Sequence, residues 1–323
     1  MSGFPCTDLL ADIRDPGYPA EYLYSRIRGR KSRMVTDWRT RAQELSLAPE
    51  GASQTRSVSG SLPATIWRGL LREHRWVYGQ MDRGMRVLFA PYFLYAEIRT
   101  ICVCLRGRAD HKTEAVGEIL AASLLADGIK RALRDEQAAA LSAIERMLLR
   151  LSPGFAGLAV LAENEGLRQA EQLMTNRYLS AAVQADLHPL LLSFFRRIID
   201  ARNVLALYKT FKLEDPAKPV FLRGGELGEE RLGEILRRGD LPEVLEAVRQ
   251  LTGVKLEMKD AARIEIALYR GISRMLRKAG ADPLHAGLIL NYLWRCSLEA
   301  MNLSILAQTK DLDRETVMAE LAQ

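Results

Sequence analysis

Residues 194–213 read FFRRIIDARNVLALYKTFKL and show the pattern from which we predict the fold. Asp200 and Asn203 stand three positions apart, so on a helix they lie one turn apart and can hydrogen-bond along its flank. We therefore predict a helix whose register is fixed by this polar pair. Its apolar residues recur at steps of three and four, the spacing of one helical stripe; they are Ile198, Ala201, Val204, Leu205, Tyr208 and Phe211.

The same pattern returns twice elsewhere in the chain. Residues 292–312, YLWRCSLEAMNLSILAQTKDL, repeat the acid-x-x-Asn spacing at Glu299 and Asn302. Residues 92–108, YFLYAEIRTICVCLRGR, form a degenerate third copy, in which we place Glu97 at the asparagine position and an apolar residue at the acid position. The three copies are 106 and 99 residues apart in this register.

These spacings are close to a third of the 323 residues, which predicts three similar helical lobes. We place the lobes at residues 1–110, 111–213 and 214–323. The alternative is three unrelated core helices, because short amphipathic helices resemble one another.

The fold class that we predict is all-α, because the period-2 alternation of a half-buried strand is almost absent from the sequence. Pro, Gly and Ser residues predict two long loops, at 47–63 and 214–228. Helical periodicity predicts helices at residues 20–45, 64–108 with a break near Pro91, 113–126, 136–151, 159–182, a helix that starts at 186–189 with Pro189 in its first turn and runs to 213, and helices at 230–238, 241–251, 260–278, 283–308 and 313–322.

The composition is that of a folded globular chain, with 48% hydrophobic and 27% charged residues. We expect no membrane-spanning helix, since the longest apolar candidate, residues 87–96, contains Pro91 and stops at Glu97. The first fifteen residues carry three acids and no positive stretch, which predicts no secretory signal and a cytoplasmic location. Four scattered cysteines predict reduced thiols rather than a disulfide framework.

Positive charge predicts an anionic partner, since the chain has a net charge of +6 and a pI near 9.2. The candidates are an acidic protein, anionic lipid headgroups or nucleic acid. The densest cluster is YSRIRGRKSR, residues 24–33, and a solvated helix face is the simpler explanation for it. Its cations, which are candidate interface residues, are Arg26, Arg28, Arg30, Lys31 and Arg33.

A search for catalytic patterns finds none, so we predict no catalytic residue, cofactor, metal ion or small-molecule substrate. Helical enzymes that act on isoprenoid diphosphates hold Mg²⁺ with clustered aspartates, and this chain has only isolated pairs. Residues 29–32, GRKS, lack the first glycine of a phosphate-binding loop, and the four histidines have no partners at metal-ligand spacing. Residues 221–227, FLRGGEL, lack the glycine spacing of a dinucleotide site.

Two non-enzymatic alternatives stay open on these grounds. A nucleic-acid-binding helical protein would explain the pI, although 40 acids are spread among the 46 bases. A basic helical scaffold with another function would share the repeats. We expect no nucleic acid as a partner.

Four stretches in this order make the chain resemble a known family. They are residues 24–33, the sequence DARNV at 200–204, FLRGGEL at 221–227, and EAMNL at 299–303 followed by Lys310. The chain is similar over nearly its whole length to the C subunit of archaeal and bacterial V-type (A-type) ATP synthases, and to the d subunit of eukaryotic V-ATPases. Ser25 replaces the alanine of the family's first-helix pattern, and Glu97 is the larger departure.

The resemblance implies a funnel-like protein of three pseudo-symmetric helical lobes that has no active site. Such a subunit sits on the cytoplasmic end of the membrane rotor ring, as a peripheral component, and receives the central stalk in a socket. We therefore expect central-stalk subunits and the rotor ring as partners, with membrane contact at the periphery. The acid and amide pairs Asp200 with Asn203 and Glu299 with Asn302 are the structural residues that we expect to matter.

Overall fold

The computed structural model describes residues 4–38, 40–41, 62–135, 137–213, 219–239, 241–256, 260–282, 285–308 and 321. Within these residues there are thirteen α-helices and no strand, which confirms the all-α prediction. Their bounds are α1 Ala20–Lys31, α2 Leu62–Gly79, α3 Arg83–Ala109, α4 Thr113–Ala122, α5 Asp127–Ala132, α6 Gln137–Leu148, α7 Leu158–Glu165, α8 Leu167–Gln184, α9 Pro189–Leu213, α10 Glu229–Arg238, α11 Leu241–Thr252, α12 Ala261–Ala279 and α13 Ala286–Gln308.

The chain divides into two compact units, and the boundaries between them fall within α1, α2 and α9 as well as in the loop after α9. The division into three lobes stays a prediction. Most of the loop at 47–63, the start of the loop at 214–228, and the helix at 313–322 lie outside the described residues. Unit 1 comprises Met1–Leu23, Leu71–Asp200 and Leu222–Gly228, and unit 2 comprises Tyr24–Leu70, Ala201–Phe221 and Glu229–Gln323.

Unit 1 is built around α3, which packs against α4, α6, α8 and the short 3-10 helix Cys6–Leu9. Aromatic rings fill the space around α3, and burial of such large side chains is a main source of stability. The hydroxyl of Tyr178 donates a hydrogen bond of 2.6 Å to the carbonyl of Pro91, tying α8 to α3. The rings in contact are Tyr92, Phe93, Tyr95, Tyr178, Phe194 and Phe195.

The break predicted near Pro91 is wrong, because Pro91 lies inside the continuous helix α3. Proline removes one N–H donor, which leaves the carbonyl four residues earlier without its helical partner. That residue is Val87, which is exposed, so water can reach the region where the donor is missing. The helix instead begins at Arg83, after Asp82 caps it by accepting a hydrogen bond of 2.8 Å from the Met85 N–H.

Because Pro91 does not interrupt it, α3 is the one helix in the described part of the chain that is long and apolar enough to cross a membrane. The expectation of no membrane-spanning helix stays a prediction, because a buried core helix can have the same length and composition. Of the 18-residue stretch of α3 with the highest mean hydropathy, 67% is buried within the protein. Such burial is expected of a core helix around which other helices pack.

Two predicted helices are also interrupted. The helix expected at 159–182 divides at Gly166, whose φ of +93° suits glycine and not a continuing helix. The helix expected at 20–45 ends at Lys31, and helical backbone resumes only at Trp38. The hydroxyl of Ser32 donates to the Gly29 carbonyl at this end, and Asp37 accepts from the Thr40 N–H where helix resumes.

Smaller differences separate predicted and observed boundaries. The gap between the helices predicted at 113–126 and 136–151 contains a further helix, α5, which begins at Asp127, and the interruption lies before it, where Leu125 forms an isolated bridge with Leu10. Three of the four cysteines, Cys6, Cys102 and Cys104, are buried thiols, and burial raises the pKa of each to about 12. A protonated, buried thiol is unreactive, in line with the predicted role of cysteine as core filler.

Unit 2 is organised around the packing of α12 against α11 and α13. The indole N–H of Trp294 donates a hydrogen bond of 2.9 Å to the hydroxyl of Ser273, which joins α13 to α12. A separate apolar cluster of Trp38, Leu306 and Leu321 joins segments that are far apart in the sequence. The last turn of α12 lies so close to the start of α13 that a Cβ at Gly287 would overlap the Ala279 backbone.

Candidate functional site

Asp200 holds a loop to the buried face of α9 in unit 1. Its side chain is fully buried, and its two carboxyl oxygens accept hydrogen bonds from the backbone N–H groups of Glu226 (3.1 Å) and Leu227 (3.0 Å). The loop also comes close to the helix, because a Cβ at Gly225 would overlap a carboxyl oxygen of Asp200. An ion pair of 3.0 Å between Arg197 and Glu226 adds a second link.

Glu97 makes the corresponding contact on α3. It is buried, and its carboxyl Oε1 accepts a hydrogen bond of 2.5 Å from the backbone N–H of Leu124, in the non-helical segment between α4 and α5. The donor lies 27 residues after Glu97, just as the donor Leu227 lies 27 residues after Asp200. The same contact therefore occurs twice at the same distance along the chain.

Glu299 makes a third contact of this kind in unit 2. Its half-buried carboxylate on α13 accepts a hydrogen bond from the backbone N–H of Val35, in the segment between Lys31 and Trp38. Val35 lies in the non-helical segment that interrupts the helix predicted at 20–45. The Val35 N–H is taken up by Glu299 instead of by a helical carbonyl.

These contacts change the register in which the first repeat aligns with the others. Glu97 matches the acids Asp200 and Glu299 rather than the asparagines, and the acids are then 103 and 99 residues apart. The residue three positions after Glu97 is Thr100, which is fully buried. Thr100 thus takes the position of Asn203, and a search of the sequence for asparagine alone does not find it.

Both asparagines of the predicted pairs are buried, as Thr100 is. Asn203 does not serve as the acceptor of the loop N–H groups, which bind Asp200. Asn302 and Glu299 both line a cavity of about 290 Å³ in unit 2, together with Arg295 and Asn291. The structure thus brings the second predicted pair together at one cavity. The structural role of the two asparagines stays a prediction.

Burial is the main influence on all three acids, and it raises the pKa of each carboxyl group. For Glu97 the pKa rises from the ordinary 4.5 to about 7, with the Leu124 N–H acting in the opposite direction. For Asp200 burial outweighs the N–H groups of Leu227 and Glu226, which lower the pKa. For Glu299 burial again raises the pKa. Loop N–H groups therefore offset part of the cost of burying each acid.

The basic cluster lies at the end of α1 in unit 2. Arg26, Arg28 and Arg33 are exposed, whereas Arg30 and Lys31 are half-buried. The buried face of this helix carries apolar side chains, including Tyr24 and Ile27 as predicted from the sequence. Arg28, Arg30 and Lys31 lie in the last turn of α1, where the helix dipole favours cations.

Two of these cations, Arg28 and Lys31, line an open groove of about 440 Å³. Arg295 of α13 lines the groove as well, and the same side chain lines the neighbouring cavity beside Glu299. Arg295 was not among the residues predicted from the sequence. The sequence feature that could have indicated Arg295 is a single cation inside the apolar stretch LILNYLWRCSL, residues 288–298.

The described residues contain no group of three or more His, Cys, Asp or Glu side chains that could hold a metal ion. His74 is fully buried against aromatic rings, and burial lowers its pKa to about 4, so the ring is neutral near pH 7. The buried acids Glu97 and Asp200 instead accept hydrogen bonds from loop N–H groups. Such an arrangement holds helices and loops together.

Comparison with known families agrees with this arrangement. The model of the ATP synthase (C/AC39) subunit family matches residues 52–320. This chain belongs to the ATP synthase (C/AC39) subunit family. The resemblance noted from the sequence is therefore confirmed, and the helix that carries Asp200 and the helix that carries Glu299 both lie within the matched residues.

Curated relatives carry a corresponding name. The C subunits of the V-type ATP synthases from two strains of Thermus thermophilus are each 27% identical to this chain over 157 residues. The alignment covers 46% of this chain and 47% of each relative, so the chain matches about half the length of these relatives.

The raised pKa of Glu97 makes stability depend on pH in a defined direction. Because the folded-state pKa (about 7) is above the ordinary value, the folded state favours the protonated acid, and this contribution is lost as pH rises from about 4.5 to about 7. The full shift corresponds to on the order of 3 kcal/mol. We expect Glu97→Gln, which stays neutral and keeps an acceptor for the Leu124 N–H, to lose less stability than the parent between pH 5 and pH 8.

Urea unfolding at both pH values measures this difference. Glu163→Gln, which removes an exposed carboxyl group from α7, is the matched control and should keep the parent's dependence on pH. An unchanged dependence in Glu97→Gln would show that Glu97 is not the titrating group.

Proposed function

We propose that this chain is the non-catalytic coupling subunit of a V/A-type rotary ATPase or ATP synthase. It joins the central stalk of the soluble head to the membrane rotor ring, on the cytoplasmic face of the membrane. The observation that carries the proposal is the family match over residues 52–320, and the name of the Thermus relatives supports it. Ion transport and ATP turnover then belong to the other subunits of the complex.

The physical requirements of coupling suit the contacts described above. A part that transmits torque must resist deformation, so its loops have to be fixed to its helices. Buried hydrogen bonds to charged groups contribute more than ordinary ones, roughly 1.5–3 kcal/mol each. Asp200 and Glu299 make such bonds on α9 and α13, two of the longest described helices.

The two other functions considered from the sequence gain no comparable support. A scaffold of unrelated function would not be expected to match this family over residues 52–320. Nucleic-acid binding would leave the family match unexplained, and it would give strong, salt-dependent retention of DNA or RNA by the purified chain.

Coupling can be tested in membranes of cells from which this chain has been deleted. We expect ATP hydrolysis by the head to continue while ATP-driven ion pumping is lost, because no rigid link would connect stalk and ring. Measurements of phosphate release and of ion uptake in the same inverted vesicles give the number of ions pumped per ATP hydrolysed. Re-expression of the parent chain should restore it. Pumping at the full ratio of ions to ATP without the chain would refute the proposal.

The basic residues at the end of α1 and just after it support a second part of the proposal, contact with the membrane surface. A cation near an anionic leaflet gains up to about 1 kcal/mol if it lies within a Debye length of the headgroups. We expect the triple change of Arg28, Arg30 and Arg33 to glutamine to weaken binding to vesicles that contain phosphatidylglycerol, and to weaken it most at low salt.

Vesicle sedimentation at two salt concentrations measures this effect. The matched control changes Arg72, Arg150 and Arg168, three exposed arginines of unit 1, to glutamine and removes the same charge. Equal binding by the parent and the α1 variant would remove the membrane contact from the proposal and leave the coupling role in place.

A further inference from the structure

The open groove of unit 2 brings together positive charges from two helices. Its volume is about 440 Å³, within the range of small-ligand sites. Its walls are the end of α1, the turn after α12, and one side of α13. The described residues that line it are Arg28, Lys31, Ser32, Gly280, Ala281, Leu288 and Arg295.

The three cations of the groove are placed by helix geometry. Arg28 and Lys31 are three residues apart on α1, so they project from the same flank. Arg295 is seven residues after Leu288, two turns along the same side of α13. Three positive side chains therefore share one groove, and none of its described lining residues is acidic.

Like charges repel one another, and an anion that binds among them offsets this repulsion. The repulsion is visible at Lys31, whose pKa is lowered by burial and then by the positive charge of Arg295. Arg295 is half-buried, and Leu288 forms a buried apolar wall beside it. A low-dielectric wall strengthens the field that an incoming anion meets.

We propose that this groove binds a phosphate group. Two guanidinium groups and one ammonium group match the several oxygens and the charge of up to −2 of a phosphate, whereas a single carboxylate offers only two oxygens and one negative charge. The apolar side formed by Ala281 and Leu288 suits the carbon skeleton attached to a phosphate ester. The inference needs only unit 2 and does not depend on the coupling role.

Backbone groups add little to recognition in this groove. The N–H groups of Gly280 and Ala281 already donate to carbonyls at the end of α12, and the hydroxyl of Ser32 donates to Gly29. The cationic side chains therefore supply the binding energy, and removing them should abolish it. The phosphate can come from two sources, a free phosphate compound or the headgroup of a phospholipid at the membrane surface.

Calorimetric titration of the purified full chain with inorganic phosphate, at constant ionic strength, tests the free source. We expect the double change Lys31→Gln with Arg295→Gln to weaken binding at least about tenfold, since two charge-assisted contacts are lost. The control double change, Arg72→Gln with Arg150→Gln, removes the same charge from exposed positions of unit 1, outside the groove lining, and should change the affinity less than about threefold.

A second variant keeps every cation and guards against misfolding of the first. Ala281→Asp adds a carboxylate at an exposed position of the groove lining, where it competes with phosphate for the three cations. We expect it to weaken phosphate binding as strongly as the double change. Its melting temperature without phosphate should match that of the parent, because Ala281 is exposed and follows the end of α12.

Sedimentation with phosphatidylglycerol vesicles tests the lipid source, with phosphatidylcholine vesicles as the neutral comparison. Binding that depends on Lys31, Arg295 and position 281 with vesicles but not with inorganic phosphate would assign the groove to a lipid headgroup. The same dependence with inorganic phosphate alone would assign it to a free compound. Absence of binding to both probes, or equal weakening by the groove and control variants, would overturn the inference.

Discussion

A carboxylate buried on a helix must have its charge or its hydrogen-bonding oxygens satisfied, and in this protein backbone N–H groups of non-helical segments do so. Asp200 binds the N–H groups of Glu226 and Leu227, and Glu97 binds that of Leu124. An unsatisfied buried polar group costs about 1–3 kcal/mol, and more when it is charged. Each loop is therefore held where its N–H groups meet the acid, and the path of the chain around α3 and α9 depends on these bonds.

The same constraint connects the fold to the proposed role. Loops are usually the mobile parts of a helical protein, whereas here two of them are fixed to long buried helices by hydrogen bonds to acids. A subunit that passes rotation between a stalk and a ring needs that stiffness and broad surfaces rather than a reactive pocket. The buried acids fix these two loops to α3 and α9, and cations of α1 and α13 line the groove for which we propose a phosphate ligand.

The helical class and most helices could be predicted from the sequence, because the three- and four-residue apolar spacing of α9 and α13 depends on local order alone. The errors arose where a distant residue decides local structure. The interruption after Lys31 coincides with a contact to Glu299, which binds the Val35 N–H from more than 250 residues away in the sequence. The apolar periodicity of residues 20–45 carries no information about that acid.

Elsewhere, one position was misjudged because of its residue type. Pro91 predicted a break, but α3 continues through it, since exposure near Val87 makes the missing hydrogen bond tolerable.

The candidate site was found in part: Asp200 and Glu299 were recognised, but Glu97 was placed in the wrong register because its partner is a threonine. Loop N–H donors and the groove that contains Arg295 exist only after the chain has folded.

The central claim, that loops are fixed by buried acids, is tested most directly at Gly225. A methyl group there would overlap a carboxyl oxygen of Asp200, whereas the space around Gly228, in the same loop, is open, and neither glycine has a positive φ. We expect Gly225→Ala to lower the free energy of unfolding by about 1–3 kcal/mol, through loss of the bonds to Glu226 and Leu227. Gly228→Ala should leave it unchanged or raise it by up to about 1 kcal/mol. Equal stability of the two variants in urea unfolding would contradict the account.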